Sequence, residues 1–331
     1  MEAAVLEDAE TTVFGPVPSR RLGRSLGINN IPAKICPYAC VYCQLGKTSN
    51  MITERQAFHK PNKIFKEVER RINEVALRNE SVDYLTFIPD GEPTLDTNLG
   101  KEISLLKQLG IRIAVLTNAS LIWQNNVKED LLGADFVSLK VDAFSEDLWK
   151  KINRPQKNLN LTTILEGITD FVKEFNGTVV SETMLIDGIN YRDEFEKIAN
   201  FLSRLERLDK AYVAVPTRPP TEKWVKPAKE KTVNDAFQTF SEKLGTTRVE
   251  YLVGYEGNAF AFTGKVEENL LSITAVHPMR REAITEFLKK ADADLSIVEK
   301  LLQEGRLTEI EYEGNTYYMR KLRTEQEKER L

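Results

Sequence analysis

Apolar positions along most of this chain follow two alternating periods. Over 62–79, Ile64, Val68, Ile72 and Val75 recur at i, i+4, i+8 and i+11, one face of an amphipathic helix. The run 82–88 is rich in strand formers and stops at Pro89-Asp90-Gly91. Leu99, Ile103, Leu106 and Leu109 return to helical spacing, and Gly110 stands where a helix needs a left-handed residue to end. Strand patterns at 111–117 and 136–141 follow. Then come a helix over 161–175 halted by Asn176-Gly177, a strand at 178–186, a helix at 192–205 and a strand at 211–216. Ahead of them, a turn-rich arm (FGPVPSRRLGR) leads into a first strand near 26–31. Strands separated by helices imply parallel βα units. Six units over about 200 residues predict an α/β fold, a partial (β/α)6 TIM-type barrel.

Beyond residue 222 the pattern loosens. The stretch 223–265 predicts one helix at 233–244 and a hairpin over 248–263 turning at Glu256-Gly257-Asn258, which together read as a sheet extension or lid. The stretch 266–322 predicts helices at 279–290 and 295–303, the second with Asp294 as N-cap. Strands at 307–312 and 316–322 follow around Glu313-Gly314-Asn315. Helix, turn, helix and hairpin predict a small winged-helix domain. The expected division is therefore 1–222 for the barrel and its arm, 223–265, 266–322, and a charged tail at 323–331. Residues 1–11 read as a polar lead-in.

The 331 residues carry a formal net charge of −4, which gives no general attraction to nucleic acid or anionic lipid. The would-be recognition helix, DLSIVEKLLQEG, is more acidic than basic, which makes duplex DNA an unlikely partner. No apolar run is long enough to span a membrane, and MEAAVLEDAE lacks a basic-then-apolar leader pattern. A cytoplasmic location is expected, because the three cysteines are clustered and leave none for disulfide staples.

Those cysteines, Cys36, Cys40 and Cys43, lie within ICPYACVYCQ and are the only ones in the chain. Thiolate is the soft ligand that zinc and iron–sulfur clusters prefer. Three readings compete. Small buried hydrophobes would not need clustering. Structural zinc wants a fourth ligand, and neither His59 nor His277 stands at finger-like spacing. A 4Fe–4S cluster held at three irons would keep one iron open for an exogenous ligand, which points to catalysis.

CxxxCxxC with Tyr42 before the last cysteine resembles the signature of the radical S-adenosylmethionine enzymes. The resemblance covers roughly residues 14–264. It implies a 4Fe–4S cluster on Cys36, Cys40 and Cys43 whose open iron is chelated by the amino and carboxylate groups of S-adenosylmethionine. One electron then cleaves that cofactor to methionine and a 5′-deoxyadenosyl radical, which takes hydrogen from a substrate. FIPDGEPTL resembles the family's GGE motif, with Asp90 in place of the first glycine, followed by Gly91 and Glu92. That motif implies a grip on the methionyl amino group. In VLTNASL, Asn118 and Ser120 are suited to ribose or carboxylate contacts. In VSLKVDA, period 2 turns Ser138, Lys140 and Asp142 into the barrel and Val137, Leu139 and Val141 toward the helices. Barrel-facing Lys140 and Asp142 want each other or a ligand. Met184 is expected to line the adenine pocket, beside which Tyr42 also packs. Glu182, Arg154 and Arg218 are further candidates for substrate contact, and Arg20, Arg21 and Arg24 for an anion or for steadying the cysteine loop. The arm PSRRLGRSLGINN is similar to that of a group related to the tRNA-modifying 4-demethylwyosine synthases, which carry extra cysteines absent here.

These readings imply an electron donor such as flavodoxin or ferredoxin. The substrate is left open between an RNA base, a small metabolite and a protein. Activation of a glycyl-radical partner and a non-catalytic iron–sulfur DNA-binding regulator are the alternatives.

Overall fold

The computed structural model describes residues 12–321. The lead-in at 1–11 and the tail at 323–331 lie outside these residues. A β-hairpin of β1 (Val13–Ser19) and β2 (Gly23–Ile28) opens the fold. Gly27 has no side chain because the ring of Phe14 lies across it. Then follow α1 (Pro61–Ala76), β3 (Tyr84–Phe87), α2 (Leu99–Leu106), β4 (Arg112–Thr117), α3 (Asn125–Leu131), β5 (Phe136–Lys140), α4 (Glu146–Ile152) and α5 (Leu161–Glu174). The sheet is completed by β6 (Thr178–Met184), α6 (Glu194–Ser203), β7 (Lys210–Ala214), α7 (Glu230–Leu244) and β8 (Val249–Leu252).

These eight strands form one sheet in sequence order, parallel from β2 to β8, with β1 antiparallel at its edge. No pairing joins β8 to β1 among the described residues, so the sheet is an open, partial barrel. Its main core lies between sheet and helices: Val137 and Leu139 of β5 share it with Ile164, Ile168 and Phe171 of α5. The opposite, concave face carries a smaller apolar group, including Leu22, Ala114, Phe136 and Val180.

Two expectations are corrected here. The arm before the first strand is itself a strand. Residues 248–263 are not a hairpin: Val249–Leu252 adds a seventh parallel strand beside β7, and 253–265 has no regular strand. The turn signal at 256–258 is real, but Phe260 and Phe262 beyond it are drawn into a second core under the following helices.

That second core is built by α8 (Val266–Val276), β9 (Met279–Arg280), α9 (Arg281–Lys290), α10 (Ser296–Gln303), β10 (Leu307–Tyr312) and β11 (Asn315–Arg320). The three strands form an antiparallel sheet in the order β10-β11-β9. Glu313 and Gly314 have φ of 49° and 72°, the two left-handed positions that a tight hairpin turn requires. Leu295 rather than Asp294 is the N-cap of α10, although the Asp294 carboxylate accepts from Ser296 N at 2.8 Å. Helix α8 escaped the pattern reading because it is buried on nearly all sides and shows no stripe. Phe14 and Val17 of β1 belong to this second core, which seats these elements against the open edge of the large sheet.

Candidate active site

The cysteine loop stands at the end of the sheet where the parallel strands finish. Its backbone is tied to four neighbouring segments. Cys36 N donates to Asn50 O at 3.1 Å, Glu92 N to Ile35 O at 3.2 Å, Val41 N to Ile152 O at 2.9 Å and Thr221 N to Cys43 O at 2.9 Å. Gly91 is where β3's following loop meets this one: a Cβ there would collide with the Ile35 carbonyl. The close approach expected of Gly91 is thus toward the cysteine loop.

Cys36, Cys40 and Cys43 are free thiols. Two carboxamides reach them, Asn118 Nδ2 at 3.3 Å from Cys36 Sγ and Asn153 Nδ2 at 3.5 Å from Cys40 Sγ. Burial pushes all three thiols up, Cys40 to about 12. Their thiolate forms therefore need a nearby positive centre such as bound iron. No three His, Cys, Asp or Glu side chains among the described residues converge tightly enough for a single metal ion. The donor set and its amide support fit a 4Fe–4S cluster.

Asp90 is buried, bridged to Lys34 at 2.9 Å, and its backbone N–H reaches Asn29 Oδ1 at 3.1 Å. Burial raises its carboxyl to about 6 against the pull of Lys34. Glu92 faces inward rather than offering a free carboxylate. Oε1 accepts from Thr94 Oγ1 at 2.7 Å and Thr117 Oγ1 at 2.5 Å, and Oε2 from Asn118 N at 2.7 Å. It ties the β3 and β4 loops together. Ser120 is fully buried, and its hydroxyl has no partner.

Lys140 and Asp142 do share the concave side, but they do not pair. Lys140 Nζ lies 2.6 Å from Glu182 Oε1 and 5.0 Å from the Tyr42 ring centre. The register explains the choice, since Lys140 and Glu182 are direct neighbours across β5 and β6. Arg21, from the turn between β1 and β2, crosses the concave face to the other Glu182 oxygen and to Ser138 Oγ at 3.1 Å. Burial alone would raise Glu182, but Lys140 and Arg21 hold it down at about 2. Asp142 accepts instead from the Tyr42 hydroxyl, from Asn153 Nδ2 at 2.7 Å and from Met184 N at 2.8 Å. Tyr42, Asp142 and Met184 are thereby one unit, and Met184 is half-buried at its rim.

Arg20 is exposed and donates to Gly254 O at 2.9 Å, Arg24 turns to Asp83 and Ser81, and Arg154 pairs with Glu222. Arg218 is held by Gln44, Glu256 and His277. Asn153, Lys34 and Gln44 were not singled out in the sequence. Asn153 shows no local signal, because its role depends on a loop 111 to 113 residues upstream folding back to it.

The sequence model of the Radical SAM superfamily matches residues 30–202. A UPF0026 protein of Methanocaldococcus jannaschii is 48% identical over 315 residues, covering 95% of this chain and 97% of its own length. A putative glycyl-radical enzyme activating enzyme of the same organism is 30% identical over 172 residues, covering 51% of this chain and 60% of that protein. The crystal structure of a radical SAM methyltransferase from Sphaerobacter thermophilus superposes with a TM-score of 0.52 at 16% identity, covering 71% of this chain and 68% of that one. At that identity the likeness is one of fold.

Proposed function

Because this chain belongs to the radical S-adenosylmethionine superfamily, whose enzymes use a 4Fe–4S cluster and S-adenosylmethionine, we propose that Cys36, Cys40 and Cys43 hold the cluster and that a small molecule is oxidised or rearranged over the concave face. A 4Fe–4S cluster held there would supply the electron for reductive cleavage of S-adenosylmethionine, the chemistry by which a substrate would lose hydrogen. The observation that carries the reading is the anchored cysteine loop at the strand ends, with carboxamides aimed at two of its sulfurs. Asn118 and Asn153 donate to sulfur and so favour thiolate over thiol. Asp90, Asn118, Tyr42, Asp142 and Met184 ring this end and would hold the cofactor. Gly91, Glu92 and Ser120 would act through the backbone they shape. Lys140, Glu182 and Arg21 form a charged floor beneath it, on which a polar substrate would be oriented.

An electron donor such as flavodoxin or ferredoxin is required. Among the described residues, no helix is long and apolar enough to cross a membrane. We read residues 266–322 as a winged-helix-like module, supported by the helix, strand, helix, helix, hairpin order of its described part, 266–321. Its α10 carries Glu299 and Lys300 and is followed by Glu304 at its C-cap, a charge balance unsuited to DNA phosphates. Activation of a glycyl-radical partner is the second reading, favoured by the likeness to the putative activating enzyme. It is disfavoured because the C-terminal module docks beside the strand ends, where a large partner would have to enter.

Anaerobic reconstitution tests the proposal. One 4Fe–4S cluster per chain and reductive formation of 5′-deoxyadenosine are expected, and Cys40→Ala should lose both. Stoichiometric zinc without iron absorption in protein purified without oxygen would overturn it.

A further inference from the structure

Arg218 follows β7 by four residues and lies, half-buried, at the junction of cysteine loop, sheet and C-terminal module. Its Nη1 donates to Gln44 Oε1 at 2.6 Å, and Gln44 directly follows Cys43. Gln44 Nε2 in turn reaches Val276 O, at the end of α8, at 3.3 Å. The other end of the guanidinium meets Glu256 and His277 Nε2, the latter at 2.7 Å, and His277 Nε2 also lies 2.9 Å from Glu256 Oε1. Tyr255 is covered by Arg280 at 4.2 Å, and Tyr317 and Tyr312 donate to the carbonyls of Thr217 and Pro216.

This cluster is not satisfied by itself. If Nε2 of His277 carries the proton, it serves Glu256 but opposes an Arg218 N–H. If Nδ1 carries it, Nε2 serves Arg218 but faces a carboxylate oxygen, and Nδ1–H is a buried donor without an acceptor. Arg218 Nε and the Tyr255 hydroxyl are likewise buried without partners, as are the acceptors Glu256 Oε2 and Asn258 Oδ1. Folded proteins leave few such atoms, and a group of them asks for a ligand or ordered water. Charge adds to this. Burial lowers Arg218 to about 10, and the neighbouring Arg20 pushes it further in the same direction. Glu182, the other carboxylate facing it, is already engaged by Arg21 and Lys140.

We infer that Arg218 and Tyr255, beside His277, form the anchoring site for an oxyanion, a carboxylate or phosphate, on a small-molecule substrate that also presents a hydrogen-bond donor to Glu256. The inference rests on the proposal that the substrate enters at this end of the sheet, and it assigns the C-terminal module a share of the binding site. Two unpartnered donors, Arg218 Nε and the Tyr255 hydroxyl, can meet one oxyanion, and a guanidinium binds such a group in fork geometry. Binding would draw Arg218 away from His277 and relieve the tautomer conflict. The link through Gln44 would signal occupancy to the cysteine loop.

The chain has two histidines, His59 and His277, so ring NMR of the reconstituted full-length protein in its oxidised state reads the site directly. Inorganic phosphate and acetate are titrated separately at constant ionic strength, and the tighter of the two identifies the kind of oxyanion. A saturable shift of the His277 signals with His59 unmoved is expected. Arg218→Gln should raise the dissociation constant about tenfold, the factor that roughly 1.4 kcal/mol carries. Tyr255→Phe, which keeps the ring and removes one donor, should weaken binding less. Absence of a saturable response to both anions, a parallel response of His59, or unchanged binding in both variants would overturn the inference. Iron content and S-adenosylmethionine binding measured on the same samples test the cofactor reading separately, because neither uses the His277 signal.

Discussion

Glu182 joins two cations that come from distant parts of the chain, so replacing it by glutamine isolates the worth of the concave-face network. Lys140 and Arg21 hold its carboxyl at about 2, against 4.5 for an ordinary glutamate. The sign follows from the depressed value. The stabilisation is fully present above 4.5 and is lost as pH falls through about 2. The gap of about 2.5 pH units, at roughly 1.36 kcal/mol each, corresponds to ~3 kcal/mol at neutral pH. The side chain is 11% exposed, so solvent screens this little. Glu182→Gln should therefore cost about 3 kcal/mol at pH 7, within the range for breaking a buried ion pair. Near pH 2 it should cost almost nothing. Lys140→Met leaves Glu182 with Arg21 and should cost less, about 1.5 kcal/mol, the low end for a hydrogen bond to a charged group. Urea unfolding of the iron-free chain at a series of pH values measures both, and omits acid loss of the cluster. A wild-type-minus-variant difference for Glu182→Gln that stays constant from pH 7 to pH 2 would refute the ion-pair reasoning.

Glu102 should behave with the opposite sign. Burial and the neighbouring Asp96 raise it to about 9, so it stays protonated when folded, and its contribution falls as pH rises from 4.5 toward 9. Glu102→Gln should flatten that loss in unfolding experiments between pH 5 and pH 8.5, and an unchanged slope would count against a neutral Glu102. Gly91→Ala should push the β3 loop off the Ile35 carbonyl and lower iron retained after reconstitution, checked by iron and sulfide analysis. Asp142→Ala leaves Tyr42, Asn153 and Met184 N without their common acceptor. It should cost about 3 kcal/mol of stability and weaken S-adenosylmethionine binding, checked by thermal unfolding and equilibrium dialysis.

Local pattern was enough for much of this protein. The cysteine spacing, the strand-to-helix alternation and the inward face of Ser138, Lys140 and Asp142 depend on neighbours a few residues apart, where period and turn chemistry act. The short helices α3 and α4 were missed because seven residues carry too little period to stand out. Helix α8 was missed because a helix buried all round has none. Partners across the fold were out of reach for a different reason. Lys140 meets Glu182 rather than Asp142 because adjacent parallel strands put them side by side, and alternation within one strand says nothing about its neighbour's register. Glu92 looked free because the hydroxyls and amide that claim it lie mostly on another loop, 25 and 26 residues on. Arg218 and His277 are 59 residues apart and meet only when the C-terminal module docks beside the cysteine loop. The sequence by itself determined most strands, the longer amphipathic helices and a cluster of three thiols suited to iron–sulfur chemistry. Tertiary packing decided which charges neutralise one another and which remain for a ligand, because electrostatic partnership depends on distance in space and not along the chain.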